Sequence, residues 1–431
     1  MPMLRATPAV FPTLVLALLG VGLAACSQDG ELPPASYDTV RSTLERQAPA
    51  AEREPLAALV AGNTDFALAL HRVLGAQPGN LAFSPHGISS ALAMVHAGAR
   101  GESERQLTQG LEFRLPPPAL HEAFNALDTA LTAAPAPGRP AEETFTLNIV
   151  NAVWKSVQQP LKQSYLDLLG RHYGAAVRRL DFARDAEAAR RTINAWVAEA
   201  TAGRIEDLLP AGSITALTRL VLTNAVYFHA AWALPFDPER TAPAAFRRLD
   251  GSEVSVPTMH QESRLPYARV AGTTAVQLPY AGDRAALLLL MPEEGYPAFE
   301  AGLDAEDIAA LVEALEPTRI ALALPRFEHG YRASLVSALE ALGVRDIFDP
   351  QRADLSGIDG GRDLHVSEIA HQAFVRVDEA GTEAAAATAV VIGVTAMPAP
   401  AQPVRFDRPF LYLVRDLDTG AVLFMGRVVD P

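Results

Sequence analysis

The sequence predicts a mixed α+β protein, with helices in the first third of the chain and strands through most of the remainder. Apolar residues recur at helical spacing from Asn63 onward, at Phe66, Leu68, Leu70, Val73 and Leu74. Leu220–Phe228 is a nearly continuous apolar run, a pattern typical of buried strands. Val276–Tyr280 and Ala285–Met291 predict further strands in the second half of the chain.

Composition bounds the function. Hydrophobic residues make up 49% of the 431 residues and charged residues 20%, as in an ordinary globular protein with an ample core. This length could hold two domains, although single folds of this size exist. The formal net charge of −14 argues against nucleic acid, and against a polyanion such as heparin, as a partner. Cys26 is the only cysteine, so an intrachain disulfide is impossible.

The N-terminal residues indicate export. Arg5 precedes an apolar core at 14–22 that is too short to span a bilayer. The sequence Leu-Ala-Ala before Cys26 resembles the bacterial lipoprotein box, which implies a signal peptide at residues 1–25 and a lipidated Cys26. An ordinary secretory signal is the alternative. Residue 27 is Ser rather than Asp, which favours the outer membrane, on its periplasmic or cell-surface face. Residues 26–62 are predicted to be a tether between the lipid and the folded domain.

Local signals place the next elements in order. Ser84 and Pro85 predict a helix start, because proline at the first helical position loses no hydrogen bond. Ser103 is predicted to cap the following helix. Thr144–Trp154 alternates well enough for a central strand.

A long segment near the C-terminus has unusual composition. From Gly381 to Met397 it carries one charge, Glu383, and no proline. Read with a period of two, one face begins at Thr382 and is uncharged, whereas Glu383 falls on the other face. This pattern predicts a strand that can enter the middle of a sheet. An edge strand or an Ala-rich linker fits the composition about equally well.

The flanking sequences resolve that choice by resemblance. Residues 371–388, Arg408–Leu413 and Phe424–Pro431 resemble the hinge and C-terminal signatures of the serpin family, whose members are mostly suicide inhibitors of proteases. The resemblance extends from Asn63 to Pro431. It implies one serpin domain at residues 63–431, with helices packed on a large central β-sheet, smaller sheets and an exposed reactive-centre loop.

The resemblance implies inhibition by covalent trapping. A protease would cleave the loop, and residues 382–395 would insert into the central sheet before the acyl-enzyme is hydrolysed. The hinge that permits this entry corresponds to Glu379, Gly381, Thr382, Glu383, Ala384, Ala385, Ala386 and Ala387. The alternative is a non-inhibitory binding protein of the same fold. Such proteins typically carry a charged or bulky residue, or proline, in the hinge. From Thr382 to Ala387 this hinge has no proline and no bulky residue, and its one charge, Glu383, lies on the face away from Thr382.

The position of the bait bond follows from counting in the family pattern. Seventeen residues from Glu379 end at Thr395, which predicts cleavage at Thr395–Ala396, with Ala396–Met397 as the second choice. Small and aliphatic residues near the cut, including Val394, predict elastase-like or subtilisin-like serine proteases as partners. A papain-like cysteine protease remains an alternative.

Two further clusters carry over from the family pattern. Ser84, Asn224 and His371 correspond to the buried polar shutter beneath the central sheet, and Trp232, Arg326 and Glu379 to the breach, where the new strand first enters. Gly87 stands where many serpins have a second shutter serine, which predicts a thinner network.

Several functions are not expected. The sequence shows no hydrolase motif in a plausible setting and no metal-ligand spacing, so we expect neither an enzyme nor a metal site or other cofactor. The insert at 133–143 has a single Arg139, so we expect no sulfated-polysaccharide site there. The protein is expected to be a monomer that contacts the membrane only through its lipid.

Overall fold

The computed structural model describes residues 36–49, 53–132, 146–382 and 400–431. A seven-stranded central sheet has the order β1-β4-β3-β5-β13-β12-β11. Its strands are β1 (Asp38–Val40), β4 (Val177–Leu180), β3 (Thr146–Ser156), β5 (Leu220–Ala231), β13 (Gly381–Thr382), β12 (Val366–Val377) and β11 (Phe327–Ser334).

The second sheet is nine-stranded, with β6 (Ala242–Arg247) paired to β7 beside the main path. The path runs β14-β10-β7-β8-β9-β15-β16-β2. These strands are β14 (Gln402–Arg405), β10 (Glu316–Pro325), β7 (Glu253–Val270), β8 (Thr273–Pro279), β9 (Ala285–Pro292), β15 (Phe410–Asp416), β16 (Val422–Val428) and β2 (Leu81–Phe83). The predicted strands in the second half of the chain are thereby confirmed.

The helices of the described ranges are α1 (Arg53–Leu74), α2 (Pro85–His96), α3 (Gly101–Gly110), α4 (Pro117–Thr132), α5 (Gln163–Tyr173), α6 (Ala186–Ala200), α7 (Tyr296–Gly302), α8 (Ala305–Glu313), α9 (Val336–Ala341) and α10 (Ser356–Asp359). Helices α1 to α4 fill most of the described part of the first third of the chain, as predicted, and the other helices follow between the strands. Within the described ranges, no helix has both the length and the apolar character needed to cross a membrane.

Two predicted helix starts have different outcomes. The start of α2 is confirmed, because the Ser84 side chain accepts a hydrogen bond from the Gly87 amide and Pro85 is the first helical residue. The prediction that Ser103 caps α3 is wrong, because the cap residue is Arg100 and Ser103 lies inside the helix. The Ser103 hydroxyl accepts instead from the amide of Asp354, at 3.0 Å.

The segment before α1 packs on the domain. β1 pairs antiparallel with β4 and extends the edge of the central sheet. Ser42 is buried and donates to Asp167 on α5, and the Gln47 amide donates to the carbonyl of Arg171. Helix α1 begins at Arg53, so the boundary predicted between residues 62 and 63 falls inside it.

The boundary between β5 and β12 positions the site, and we call it the seam. The two strands pair in parallel from Leu220 opposite Val366 to Tyr227 opposite Phe374, which is the lower part of the seam. At the upper end, β13 lies between them. Apolar side chains from α1, α2 and both sheets form one continuous core, and α6 covers a second cluster around Trp154.

Candidate functional site

The hinge occupies the upper end of the seam. Gly381 and Thr382 pair antiparallel with Ala231 and Ala230 of β5, and Thr382 also pairs with Val377 of β12. Glycine is required at 381, because a Cβ there would lie 2.1 Å from the Ala230 carbonyl oxygen. Thr382 is 1% exposed, so it already lies inside the sheet.

The breach residues surround the turn before the hinge. The Glu379 carboxylate accepts from Arg326 Nε at 2.7 Å, and also from Arg326 Nη2 and the Thr241 hydroxyl. Burial by itself would raise the pKa of Glu379, but the hydrogen bonds from Arg326 and Thr241 outweigh it and hold this pKa below its usual range. Glu379 is therefore a charged group held in a nearly buried position.

Two stacked aromatic rings connect the breach to the hinge. Trp232 donates from Nε1 to the carbonyl of Asp378 and from its amide to the carbonyl of Ala380, both at 2.9 Å. Its ring stacks on Tyr280 with centroids 4.7 Å apart and planes 7° apart. The Tyr280 hydroxyl lies 2.7 Å from the Thr382 hydroxyl. These contacts hold both the backbone of the turn and the first inserted side chain.

A polar row crosses three strands in the lower part of the seam. His371 lies opposite Asn224, which lies opposite Asn151. His371 Nδ1 is 2.6 Å from Asn224 Oδ1, Asn224 Nδ2 donates to Asn151 at 2.5 Å, and Asn151 Nδ2 donates to the Gly87 carbonyl at 3.1 Å. Because Asn224 Nδ2 is a donor, its Oδ1 is the acceptor and His371 donates. The row thus ties β12 through β5 and β3 to the start of α2.

Burial sets the ionisation of the row. His371 is fully buried, which lowers its pKa to about 3 against the opposing effect of its bond to Asn224. Ser84 is linked to the row through Gly87: the Ser84 hydroxyl accepts a hydrogen bond from the Gly87 amide, and the Gly87 carbonyl accepts one from Asn151. A Cβ at Gly87 would lie 2.7 Å from Asn224 Nδ2, so a serine there would require the amide to shift.

The remaining predicted site residues lie outside the described ranges. They are the hinge residues Glu383, Ala384, Ala385, Ala386 and Ala387, the bait-bond residues Thr395 and Ala396, and the lipidation residue Cys26. The structure brings the other predicted residues into two groups, one at each part of the seam.

Three contributing residues were not singled out as site residues from the sequence. Asn151 is a polar residue within a strand-like run, so its need for a buried partner was a usable signal. Tyr280 and Thr241 reach partners more than a hundred residues away, and no local pattern predicts those contacts.

The three shutter residues are enclosed by the protein. Ser84, Asn224 and His371 have no exposed surface, so a substrate could not reach them in this state. Within the described part of the chain, no group of three His, Cys, Asp or Glu side chains is placed to hold a metal ion.

Comparisons with known proteins identify the family. The serpin (serine protease inhibitor) family profile matches residues 61–431. The chain is 35% identical over 385 residues to the leukocyte elastase inhibitor of Bos taurus, covering 86% of this chain and 99% of that protein. It is 34% identical over 410 residues to antithrombin-III of Mus musculus, covering 92% and 87%.

A solved structure supports the same assignment. The native state of the thermophilic serpin tengpin matches with a TM-score of 0.79 at 25% identity, covering 91% of this chain and 98% of that one. The chain belongs to the serpin family, and the predicted serpin fold is confirmed. Its serpin homologues are protease inhibitors rather than enzymes, which supports protease inhibition as its general activity.

Proposed function

We propose that this protein is a suicide inhibitor of serine endopeptidases that inserts its cleaved loop into the central sheet as a new strand. One observation carries the proposal: Gly381 and Thr382 already pair between β5 and β12. The rest of the loop would extend that strand downward along the seam. Insertion would carry a covalently attached protease away, because fourteen residues at about 3.4 Å each span roughly 48 Å.

The register predicts how far the new strand would run. Thr382 faces Ala230, so continued pairing would place residues 382–392 opposite β5 down to its first residue, Leu220. The even-numbered residues would then share the buried face with Thr382. The face predicted to carry no charge is thus the one that would enter the core, and Glu383 would fall on the other.

The same register brings one residue to the polar row. Position 388 would face Asn224 on β5 and His371 on β12. Neighbouring strands lie about 4.8 Å apart, so admitting a strand separates β5 and β12 to about 9.6 Å and breaks the bond between Asn224 and His371. Thr388 carries a hydroxyl that can both donate and accept, which suits it to replace that bond.

Trapping requires that insertion outpace deacylation. The protease would be held as an acyl-enzyme whose oxyanion hole and catalytic residues no longer keep reactive geometry. The driving force would be the hydrogen bonding and burial gained by the new strand, released from a kinetically trapped native state. The closed lower seam is consistent with such a state.

The bait bond sets the target class. We propose cleavage at Thr395–Ala396, with Ala396–Met397 as the second choice, by an elastase-like or subtilisin-like enzyme. Val394 and Ile392 precede the cut, and the similarity to a leukocyte elastase inhibitor supports this class.

The test is incubation with pancreatic elastase, subtilisin and papain, followed by denaturing electrophoresis and mass analysis. A stable covalent adduct with a serine protease, and a released peptide beginning at Ala396, are expected. Thr382→Arg should turn the inhibitor into a substrate, because a buried position would have to admit a charge. Thr43→Arg, at an exposed site, is the matched control. Simple cleavage of the wild type without an adduct would contradict the proposal, and an adduct with papain alone would redirect it to cysteine proteases.

We further propose that Cys26 anchors the protein to a membrane outside the bacterial cytoplasm. The lipoprotein-like sequence before Cys26 supports this location. Labelled palmitate should be incorporated by the wild type in a bacterial host, and not by Cys26→Ser. Equal labelling of the two proteins would refute the anchor.

A further inference from the structure

Three histidine rings meet where α2, α4 and α5 pack together. His96 is the last residue of α2, His121 lies on α4 and His172 lies on α5. The centroid of the His121 ring is 6.1 Å from that of His96 and 6.3 Å from that of His172. His96 is 3% exposed and His121 is 2% exposed, whereas His172 is partly buried. We call these three residues the histidine contact.

Aromatic rings enclose the histidine contact. Phe113 packs edge-on against His96, with ring centroids 5.5 Å apart, and Tyr173 packs edge-on against His121 at 5.8 Å. Phe124 of α4 lies against both Phe113 and Tyr173. Surroundings of this kind solvate a charged imidazole poorly.

The hydrogen bonds of the histidine contact suit neutral rings. The Thr108 hydroxyl donates to the carbonyl of Glu104, so His96 Nε2 donates to Thr108 at 2.9 Å and Nδ1 is the nitrogen without a hydrogen. His121 Nδ1 lies 2.7 Å from the Tyr173 hydroxyl. His96 Nδ1 and His121 Nε2 are buried and have no hydrogen-bond partner in the described part of the chain. In a charged ring both nitrogens carry a hydrogen, so these two would become buried donors without an acceptor.

Burial and neighbouring positive groups keep His96 and His121 neutral. Burial, with a smaller effect of the Arg100 guanidinium, lowers the pKa of His96 to about 4. Burial, with smaller effects of His96 and His172, lowers the pKa of His121 to about 3. Among the residues that the structure describes, no carboxylate raises the pKa of either ring.

The charges around His172 partly cancel. Burial lowers the pKa of His172, and Arg171 and Arg46 act in the same direction. The Glu122 carboxylate on α4 opposes them. His172 is thus also held towards its neutral form, although it is the most accessible ring of the three.

Separation of α4 would return these rings to water. Helix α4 packs mainly on α1 and α5, so it could move while the strands of the central sheet stay paired. In the open form His96 and His121 would regain a pKa near 6.5, so the open form would bind protons that the closed form excludes between pH 6.5 and about 4. The histidine contact therefore stabilises the closed form fully above pH 6.5, and less as the pH falls.

Helix α4 also holds the segment that joins β1 to α1. Arg46 Nε donates to Asn125 Oδ1 at 2.7 Å, and Asn125 Nδ2 donates to the carbonyl of Gln47 at 2.9 Å. Arg46 Nη1 pairs with Asp128, also on α4, at 2.7 Å. Separation of α4 would break these contacts, so its effect would reach the segment before α1.

We propose that the histidine contact is an acid-sensitive switch, in which the binding of two or more protons separates α4 from α2 and α5 and releases Arg46 and Gln47 while the central sheet stays paired. His96 and His121 each contribute one proton to the change, so the response to pH is steeper than that of a single group. The switch does not depend on the inhibitory function.

Hydrogen exchange of the full chain, followed by mass spectrometry and corrected for the intrinsic effect of pH, measures the opening of α4. Between pH 6 and pH 5 the opening constant of a peptide covering Pro117–Thr132 should rise about fiftyfold, whereas a single histidine would give about sevenfold. Residues 43–47 should lose protection together with α4. A peptide covering Leu220–Ala231 should exchange more slowly than α4 at both pH values, because β5 lies inside the central sheet.

Variants assign the protons. His96→Gln and His121→Gln should each reduce the rise from about fiftyfold to about sevenfold, whatever they do to stability at a single pH, because each removes one proton from the change. His260→Gln removes a partly exposed histidine from β7 and should leave the rise at about fiftyfold. The wild-type rise tests the proposal even where a variant fails to fold.

Three outcomes would each overturn the proposal. The first is a wild-type rise of about tenfold or less, which a single proton explains. The second is an unchanged rise in both His96→Gln and His121→Gln. The third is unchanged protection of residues 43–47 when α4 opens.

Discussion

The two parts of the seam contrast in how they hold the same pair of strands. In the lower part, β5 and β12 pair directly and the bond between His371 and Asn224 crosses the seam. At the upper end, the strands are parted by Gly381 and Thr382. In this structure the seam therefore has one closed part and one part in which two residues of a third strand lie between β5 and β12.

The difference lies in what each part would lose on opening. The lower part would orphan buried side chains, at about 1–3 kcal/mol for each group left without a partner. The upper part has already replaced its direct pairing with backbone bonds to the hinge, and its breach contacts hold the turn in place. The polar row thus holds the lower part of the seam closed, and in the proposed mechanism the hinge is the first part of the strand that would separate β5 from β12.

The largest expected effect on stability comes from disrupting the polar row. Asn224→Ala leaves His371 Nδ1 and Asn151 Oδ1 without their bonds, so the free energy of unfolding should fall by about 2–5 kcal/mol. Denaturant unfolding followed by circular dichroism measures the change. Gln372→Ala, at the next residue of β12, is the control, because Gln372 Oε1 has no hydrogen-bond partner among the described residues. Equal destabilisation by both substitutions would mean that the polar row contributes nothing special to the stability of the lower part of the seam.

Expelling the hinge from the upper part of the seam should cost less free energy than breaking the polar row. Gly381→Ala places a methyl group against the Ala230 carbonyl oxygen and should expel the hinge from the sheet. The stability of the local strand pairing should fall by about 1–3 kcal/mol. Trp232, which donates to the turn, should then become more accessible to acrylamide quenching than in the wild type. Gly330→Ala makes the same change in β11, where the nearest atom lies 3.7 Å from the new Cβ, and should leave quenching unchanged. Unchanged quenching in Gly381→Ala would show that the hinge tolerates the methyl group in place.

The polar row and the hinge also show what the sequence could predict. Asn224, His371 and Gly381 were identified through family motifs, and the apolar strand runs gave the strands themselves. The reason for glycine at 381 is a close backbone approach to Ala230, which depends on strands far apart in sequence. The anchoring of residues 36–49 was likewise missed, because short exposed segments have no periodic pattern.

Acid should weaken the lower part more than the upper end. The folded-state pKa of His371, about 3, lies below its ordinary value of 6.5, so the unfolded chain binds a proton that the folded chain excludes between these values. The contribution of His371 is complete above pH 6.5 and is lost as pH falls, at about 1 kcal/mol per pH unit. His371→Gln should remove this increment, so the stability gap between the two proteins should change by about 1 kcal/mol between pH 6.5 and 5.5. A gap that stays constant would place the acid sensitivity elsewhere, for example at His96, His121 or His329, whose pKa values are also lowered by burial.

The smallest effect separates side-chain from backbone retention of the hinge. Tyr280→Phe removes the hydroxyl that bonds to Thr382 but keeps the ring that stacks on Trp232. The loss should be about 1 kcal/mol, so amide exchange in a peptide covering residues 379–382 should quicken about fivefold. Tyr412→Phe removes a buried hydroxyl in the second sheet and should leave that peptide unchanged. If exchange is equally slow in both variants, the backbone pairing of Thr382 with Ala230 and Val377 is enough to hold the hinge in the sheet, without the hydroxyl of Tyr280.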